Sequence, residues 1–258
     1  MITIDSKITL VTGLHIGGAD DGMKIGGVDS PVMKREVFCD SDSGEVVFDP
    51  DKRKVTEPYI AGSSLKGKIR SLLEHHFMLI DPVGNGKVVD SQSSFGEKKY
   101  IDLIVGLFGE SGANSSNKKA INITRAIFRD CFITKDVRKA SLDNKVELFE
   151  SKYENVIDRK TGTTIPGGLR QIERVPSAIE FDFNMSIRTF GGDNEEVYKK
   201  SILLGLKLLE LDALGGNGSR GYGRVKFNNL KVDGEKIDLE QINIKELRDE
   251  IKNELDKS

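Results

Sequence analysis

Leu214-Gly215-Gly216-Asn217-Gly218-Ser219-Arg220-Gly221-Tyr222-Gly223-Arg224 lies between an apolar helical run and the strand-like Val225-Lys226-Phe227. Five glycines fall within nine residues here. One glycine suffices to end a helix, so the others need a further reason. A backbone without side chains can approach a phosphate closely, while Arg220 and Arg224 supply positive charge and Tyr222 a face for stacking. Gly218, Ser219, Arg220 and Tyr222 are therefore candidate RNA-binding residues. Upstream, Val197, Ile202, Leu206 and Leu209 share one face of a helix predicted over Glu195 to Leu211, and strand-like Phe181, Phe183, Met185 and Ile187 precede it. At the far end of the chain, Ile2, Ile4, Ile8 and Leu10 nearly alternate, the pattern of a strand rather than of a signal peptide or membrane span. Leu239, Ile242, Leu247, Ile251 and Leu255 predict a C-terminal helix within 238–258.

A second segment repeats the chemistry of the first: Pro58-Tyr59-Ile60-Ala61-Gly62-Ser63-Ser64-Leu65-Lys66-Gly67-Lys68-Ile69-Arg70. Ser63 or Ser64 is a good N-cap, Leu65, Ile69, Leu72, Leu73 and Phe77 follow at helical spacing, and Lys66 and Arg70 fall on one flank. Helix start, hydroxyls and cations together form a candidate anion site. Gly62 to Lys68 also spells most of a nucleotide-binding P-loop, but Ile69 stands where a hydroxyl must hold magnesium and no buried parallel strand leads in, which excludes that reading. Between the two segments the sequence predicts loops at 81–99 and 109–119, a short helix over Ile101 to Phe108, a buried strand over Ala126 to Ile133 and a polar projecting arm at 145–175. Strands and two long helices in this order suit an α+β domain with a ferredoxin-like βαββαβ core.

Composition bounds the remainder. The chain has 258 residues, 37% hydrophobic and 31% charged, with a net charge of −2. That is ordinary for a globular protein and too little positive charge to grip nucleic acid in bulk, so local clusters must carry any RNA contact. Cys39 and Cys131 have no near Cys or His partner in sequence, which gives neither a disulfide framework nor a zinc pattern and fits a cytoplasmic protein.

Together with Thr12-Gly13-Leu14-His15-Ile16-Gly17-Gly18, both segments resemble the RAMP superfamily, specifically the repeated backbone subunit of type III-A CRISPR (Csm) effector complexes. Four further stretches agree in order and spacing: Ile25 to Val32, Leu107-Phe108-Gly109, Ile127-Phe128-Arg129-Asp130, and Glu154-Asn155-Val156-Ile157-Asp158-Arg159 followed by Arg170 to Pro176. Two departures stand out. Residues 36–57 exceed the family's usual short link and read as a turn and strand decorating the surface, and Ala61 replaces a common second proline. The resemblance implies a single domain over 1–258: an RRM/ferredoxin-like palm with insertions as fingers and lid, and a protruding β-hairpin thumb at 145–175. It implies guide-RNA contacts at His15, Gly17, Gly18, Ser63, Ser64, Lys66, Arg70, Arg170 and the glycine loop. The implied partners are guide RNA (crRNA), complementary target RNA, other copies of the chain in a filament and other Csm subunits, with no membrane.

The same resemblance places cleavage on Asp29 with a divalent cation, Mg2+ or another such as Mn2+, by attack of the 2′-OH on the adjacent phosphate. Asp29 could bind the metal, the favoured role, or remove the proton. Read locally, Asp-Ser-Pro is an ordinary turn starter. His15 offers a natural general base, though a histidine among glycines more often contacts phosphate or bonds the backbone. His75 and His76 are adjacent on a helix and cannot form an i, i+4 metal pair. Lys118, Lys119, Arg125 and Arg129 read equally as a basic edge or as a solvated loop. Two alternatives to a metal-dependent endoribonuclease remain open: a scaffold that binds guide RNA without cutting, and a solitary RAMP nuclease that processes precursor guide RNA.

Overall fold

The computed structural model describes residues 1–18, 30–84, 86–110 and 123–257. The alternation at the start of the chain forms strand β1 (Ile2–Leu10), which buries Ile2, Ile4, Ile8 and Leu10 and leaves Asp5 in solvent. β1 is the middle of a five-stranded antiparallel sheet. On one side it pairs with a strand over Glu180–Ile187, setting Ile4 opposite Met185 and Ile8 opposite Phe181. On the other it pairs with Val225–Val232, setting Ile8 opposite Phe227.

In chain order the remaining elements are β2 (Lys34–Cys39), β3 (Val46–Val47), β4 (Arg53–Ile60), α1 (Gly62–His76), α2 (Lys98–Phe108), β5 (Ala126–Phe128), β6 (Cys131–Phe132), α3 (Lys135–Leu142), β7 (Glu150–Ile157), β8 (Thr164–Arg174), β9 (Glu180–Ile187), α4 (Glu195–Leu211), β10 (Val225–Val232), β11 (Glu235–Lys236) and α5 (Ile244–Leu255). The sheet order is β11-β10-β1-β9-β5. With β11 set aside, β1-α1-β5-β9-α4-β10 is the βαββαβ path of a ferredoxin-like palm. Helices α1 and α4 approach closely because Gly205 lacks a Cβ, which would sit 2.6 Å from Ile69 Cγ2. Each fully buried Ile or Leu of this core contributes about 1.5–3 kcal/mol by leaving water.

Three local expectations are corrected. Ala126 to Ile133 is not one strand: it breaks at Arg129–Asp130 into β5, which belongs to the palm sheet, and β6, which joins a second sheet of order β3-β2-β4-β6. Helix α1 begins one residue before Ser63, with Ala61 at the N-cap and no side-chain cap. Instead the Gly62 amide donates to Asp130 Oδ1 at 2.8 Å, so the cap comes from the break between β5 and β6. Finally, residues 36–57 are surface only at their tip. Their strands β2 and β4 bury Cys39 and Glu57, and Glu57 is wholly inaccessible. Its carboxylate accepts from Arg138 of α3 (2.5 and 3.1 Å) and from Arg35 (2.6 and 2.9 Å). Arg35 in turn lies 3.3 Å above the Phe132 ring. Removing one member of a buried ion pair typically costs about 3–5 kcal/mol. Burial pushes both thiols up, that of Cys131 to about 12, so neither cysteine is reactive.

The arm at 145–175 is a two-stranded hairpin of β7 and β8. Its turn is held by Asp158, whose carboxylate accepts from the Lys160 amide at 2.7 Å and the Thr161 amide at 3.1 Å. The C-terminal helix starts at Ile244 because the Asn243 side chain caps it, accepting from the Lys245 and Glu246 amides. No helix of the described residues is long and apolar enough to cross a membrane.

Candidate nucleic-acid interface

Four segments converge at the root of the hairpin. The Leu14 amide and carbonyl exchange hydrogen bonds with Val175 (2.9 and 2.8 Å). His15 is buried and its Nδ1 donates to the Glu173 carbonyl at 2.7 Å, which fixes the ring's tautomer and orientation. Gly18 donates to the Pro31 carbonyl and Met33 to the Ile16 carbonyl, so the loop carrying Gly17 and Gly18 lies along residues 30–33. A Cβ on Gly18 would come within 3.0 Å of the Val32 carbonyl oxygen.

Glu173 ties the same strip to the hairpin. Its amide donates to the Ser30 carbonyl at 3.2 Å, and its carboxylate accepts from the Val32 amide at 2.9 Å and Lys34 Nζ at 3.1 Å. Asp29 lies outside the described residues, as do Gly26, Gly27, Lys118 and Lys119, but the residue that follows Asp29 is fastened to β8.

The glycine loop closes the fourth side. Gly216 donates to the His15 carbonyl at 2.8 Å, Gly223 to the Gly13 carbonyl at 2.9 Å, and Leu214 to the Gly223 carbonyl at 2.8 Å. These contacts explain two of the glycines. Gly215 and Gly223 have φ of +75° and +71°, and a Cβ at either would lie 2.3 Å from the His15 carbonyl oxygen or 1.9 Å from that of Leu214.

Tyr222 departs from expectation. Its ring is 1% exposed, with Lys152 Nζ 4.3 Å and Arg174 Cζ 5.0 Å from the centroid, so it has no free face for a base. Its hydroxyl donates to Glu154 Oε1 at 3.0 Å, and burial followed by that acceptor holds the phenol above its ordinary range. Gly218–Arg220 form a single 3-10 turn, and the exposed Arg220 reaches Glu154 Oε2 at 3.2 Å. Beside it opens a cleft of about 370 Å3 lined by Lys152, Glu154, Asn155, Val156, Gly168, Arg170 and Arg220. Arg170 is exposed and sits opposite Glu154 in the hairpin register. Three cations therefore surround one carboxylate, a surplus of positive charge suited to a phosphate chain.

The start of α1 is built differently. Arg70 donates to Glu74 at 2.7 Å, to the Gly109 carbonyl at 2.9 Å and to the Val89 carbonyl at 2.5 Å, which makes it an internal cross-link rather than a free anion ligand. Lys66 keeps a partly buried amine whose pKa is lowered by burial and by Arg70. Ser63 is exposed and Ser64 partly so, in the first turn of α1. Arg125 forms a two-pronged pair with Asp193 (2.8 and 2.8 Å), so it is not an open basic group, whereas Arg129 is exposed and its guanidinium donates only through Nε to Asn184. His75 is exposed, while His76 is half-buried with Nε2 unpartnered. Glu154 and Glu173 could not be recognised from sequence as organisers of this surface, because the partners they draw in from other segments lie 16 to 158 residues away in the chain.

The sequence profile of the RAMP superfamily matches residues 7–226. The chain belongs to the RAMP superfamily. Within it, curated relatives carry the name CRISPR system Cms endoribonuclease Csm3. The protein of Streptococcus thermophilus is 40% identical over 228 residues, 88% of this chain and 86% of the relative. That of Methanocaldococcus jannaschii is 37% identical over 226 residues, 88% of this chain and 78% of the relative, and that of Mycobacterium tuberculosis is 34% identical over 243 residues, 88% and 86%. Among solved structures, a chain of the type III-B Cmr-beta complex bound to cognate target RNA superposes with a TM-score of 0.51 at 17% identity. The match covers 90% of this chain and 60% of that one, and it shows a shared fold.

Proposed function

We propose that this chain is the endoribonuclease backbone subunit of a type III-A CRISPR effector complex, holding guide RNA along the loop and hairpin surface and cutting complementary target RNA next to Asp29. The observation that carries the reading is the attachment of Ser30, Val32 and Lys34 to Glu173 at the hairpin root. Through it, the strip that begins beside Asp29 and the hairpin's cationic cleft keep one fixed relation. A strand laid along Lys152, Arg170 and Arg220 is thereby delivered to a constant place relative to residue 30, and positioning of this kind is a large part of catalysis.

In the reaction the 2′-OH attacks the adjacent phosphate and the 5′-oxygen departs. Guide RNA, target RNA, further copies of the chain and other Csm subunits are the partners of this reading. A divalent cation such as Mg2+ or Mn2+ belongs to it as well. Among the described residues no group of three His, Cys, Asp or Glu could hold an ion on protein ligands alone. In this reading Asp29 would hold the ion, with substrate phosphate supplying further oxygens, since Mg2+ is commonly held by one or two carboxylates plus substrate phosphates. When bound, the ion would neutralise charge developing on the phosphate.

The test is cleavage of a labelled, guide-complementary RNA by the assembled complex, wild type against Asp29→Ala, with Mg2+ and with chelator. The expected outcome is a regularly spaced ladder that disappears in both controls while target binding persists. A ladder that survives Asp29→Ala moves the chemistry to another subunit and leaves this chain a scaffold.

A further inference from the structure

The insertion over residues 36–57 carries a surface that the cationic cleft does not use. Its root is rigid. Glu57, Arg138 and Arg35 form the buried ion cluster described above, and the Gly44 carbonyl accepts from Arg138 Nη1 at 2.9 Å. Gly44 itself, at φ +73°, packs so close to α3 that a Cβ would sit 2.7 Å from the Lys135 carbonyl oxygen.

The tip is of another character. Phe48, just after β3, is fully exposed, and Val46 before it is about half exposed. Asp42, Glu45, Asp49 and Asp51 surround them in sequence, and none has an ion-pair partner among the described residues. The three cations that follow offset these acids only in part: Lys52 pairs with Asp40 at 3.0 Å and is also attracted by Asp42 and Asp49, Arg53 donates to the Leu142 carbonyl at 3.2 Å and Lys54 pairs with Glu36 at 2.6 Å. The tip thus presents one aromatic ring within a net negative charge, on a strand pair whose root is anchored against α3.

A single exposed apolar side chain is ordinary. An exposed aromatic framed mainly by one sign of charge is the form of an interface anchor, which seats in a socket while its rim steers the partner. The charge decides which partner. Phosphate is repelled, so the ring is not a platform for RNA. A second copy of the chain is a poor fit too, because two such tips repel each other and the chain's own surplus of cations lies in the cleft assigned to RNA.

Resting on the assembly stated under Proposed function, we propose that residues 40–51 dock through Phe48 into an apolar socket edged by lysine or arginine on a different protein subunit of the same complex. The test uses the assembled complex with p-benzoylphenylalanine in place of Phe48, irradiated and mapped by mass spectrometry. The expected adduct lies on a non-identical protein subunit, in a peptide rich in Lys or Arg. Phe48→Asp should then lower that subunit's occupancy at least ten-fold in moderate salt while guide RNA still co-purifies. An adduct on RNA, an adduct on another copy of this chain, or no adduct in a complex that retains guide RNA overturns the proposal. If the wild-type chain gathers neither guide RNA nor other subunits, the proposed function fails first and this inference with it.

Discussion

The glycine loop at 215–223 and the start of α1 at 62–70 share glycine, serine and arginine, yet the fold uses them in opposite ways. In the loop, glycines let three backbone segments touch, and the arginine that remains is offered to solvent: Arg220 is 61% exposed. In α1 the first amide is capped by Asp130 and Arg70 is drawn inward to Glu74 and two carbonyls. The lesson is that a basic, glycine-rich string names a set of possibilities. Which one is realised depends on acceptors that arrive from distant parts of the chain.

Substitutions can break or sharpen this contrast. The largest effect is expected from Gly223→Ala, which asks a Cβ to occupy space 1.9 Å from a carbonyl oxygen at φ +71°. Strain and overpacking together should destabilise by more than about 3 kcal/mol, read as loss of the folded baseline in urea or as insoluble expression. Next comes Arg70→Ala, which strands the buried Glu74 and two carbonyls and should cost about 3 kcal/mol by denaturant titration. An unchanged midpoint would show that Arg70 is free after all and return it to the RNA contacts.

Arg170→Ala should do the reverse. Stability stays within about 0.5 kcal/mol, whereas guide RNA binding weakens and the salt slope of the affinity falls by about 1. Loss of stability without a change in slope would dismiss the cleft. The smallest effect is expected from Gly67→Ala. Gly67 is exposed within α1, with nothing inside 4 Å of a Cβ, so alanine should raise the denaturation midpoint by a gain of about 0.5–1 kcal/mol.

Much of the palm was legible in the sequence. β1 announces itself by alternation, and α4 runs from Glu195 to Leu211 as its apolar face predicts, with Asn194 as its cap. The α+β class followed from element order, and membership of the RAMP superfamily from the motifs that resemble it. What could not be read was pairing at a distance. Nothing local in Ala126 to Ile133 says that Arg129–Asp130 leaves one sheet for another, because the break is set by Asp130 reaching Gly62. Nothing in the residues around Tyr222 reveals that Lys152 and Arg174 cover its faces and Glu154 takes its hydroxyl. For the site, the segments were visible and their division of labour was not.

The position of β1 has a consequence for biogenesis. The central strand of the palm is made of residues 2–10, but its partners lie at 180–187 and 225–232. At a synthesis rate of about 5–20 residues per second, β1 therefore waits about 10–45 s on the ribosome before both neighbours exist. Throughout that interval an apolar strand with two open edges is exposed to anything that can pair with it. Yield of soluble protein should consequently depend on factors that shield nascent chains, more than the ordinary size and composition of this domain would suggest.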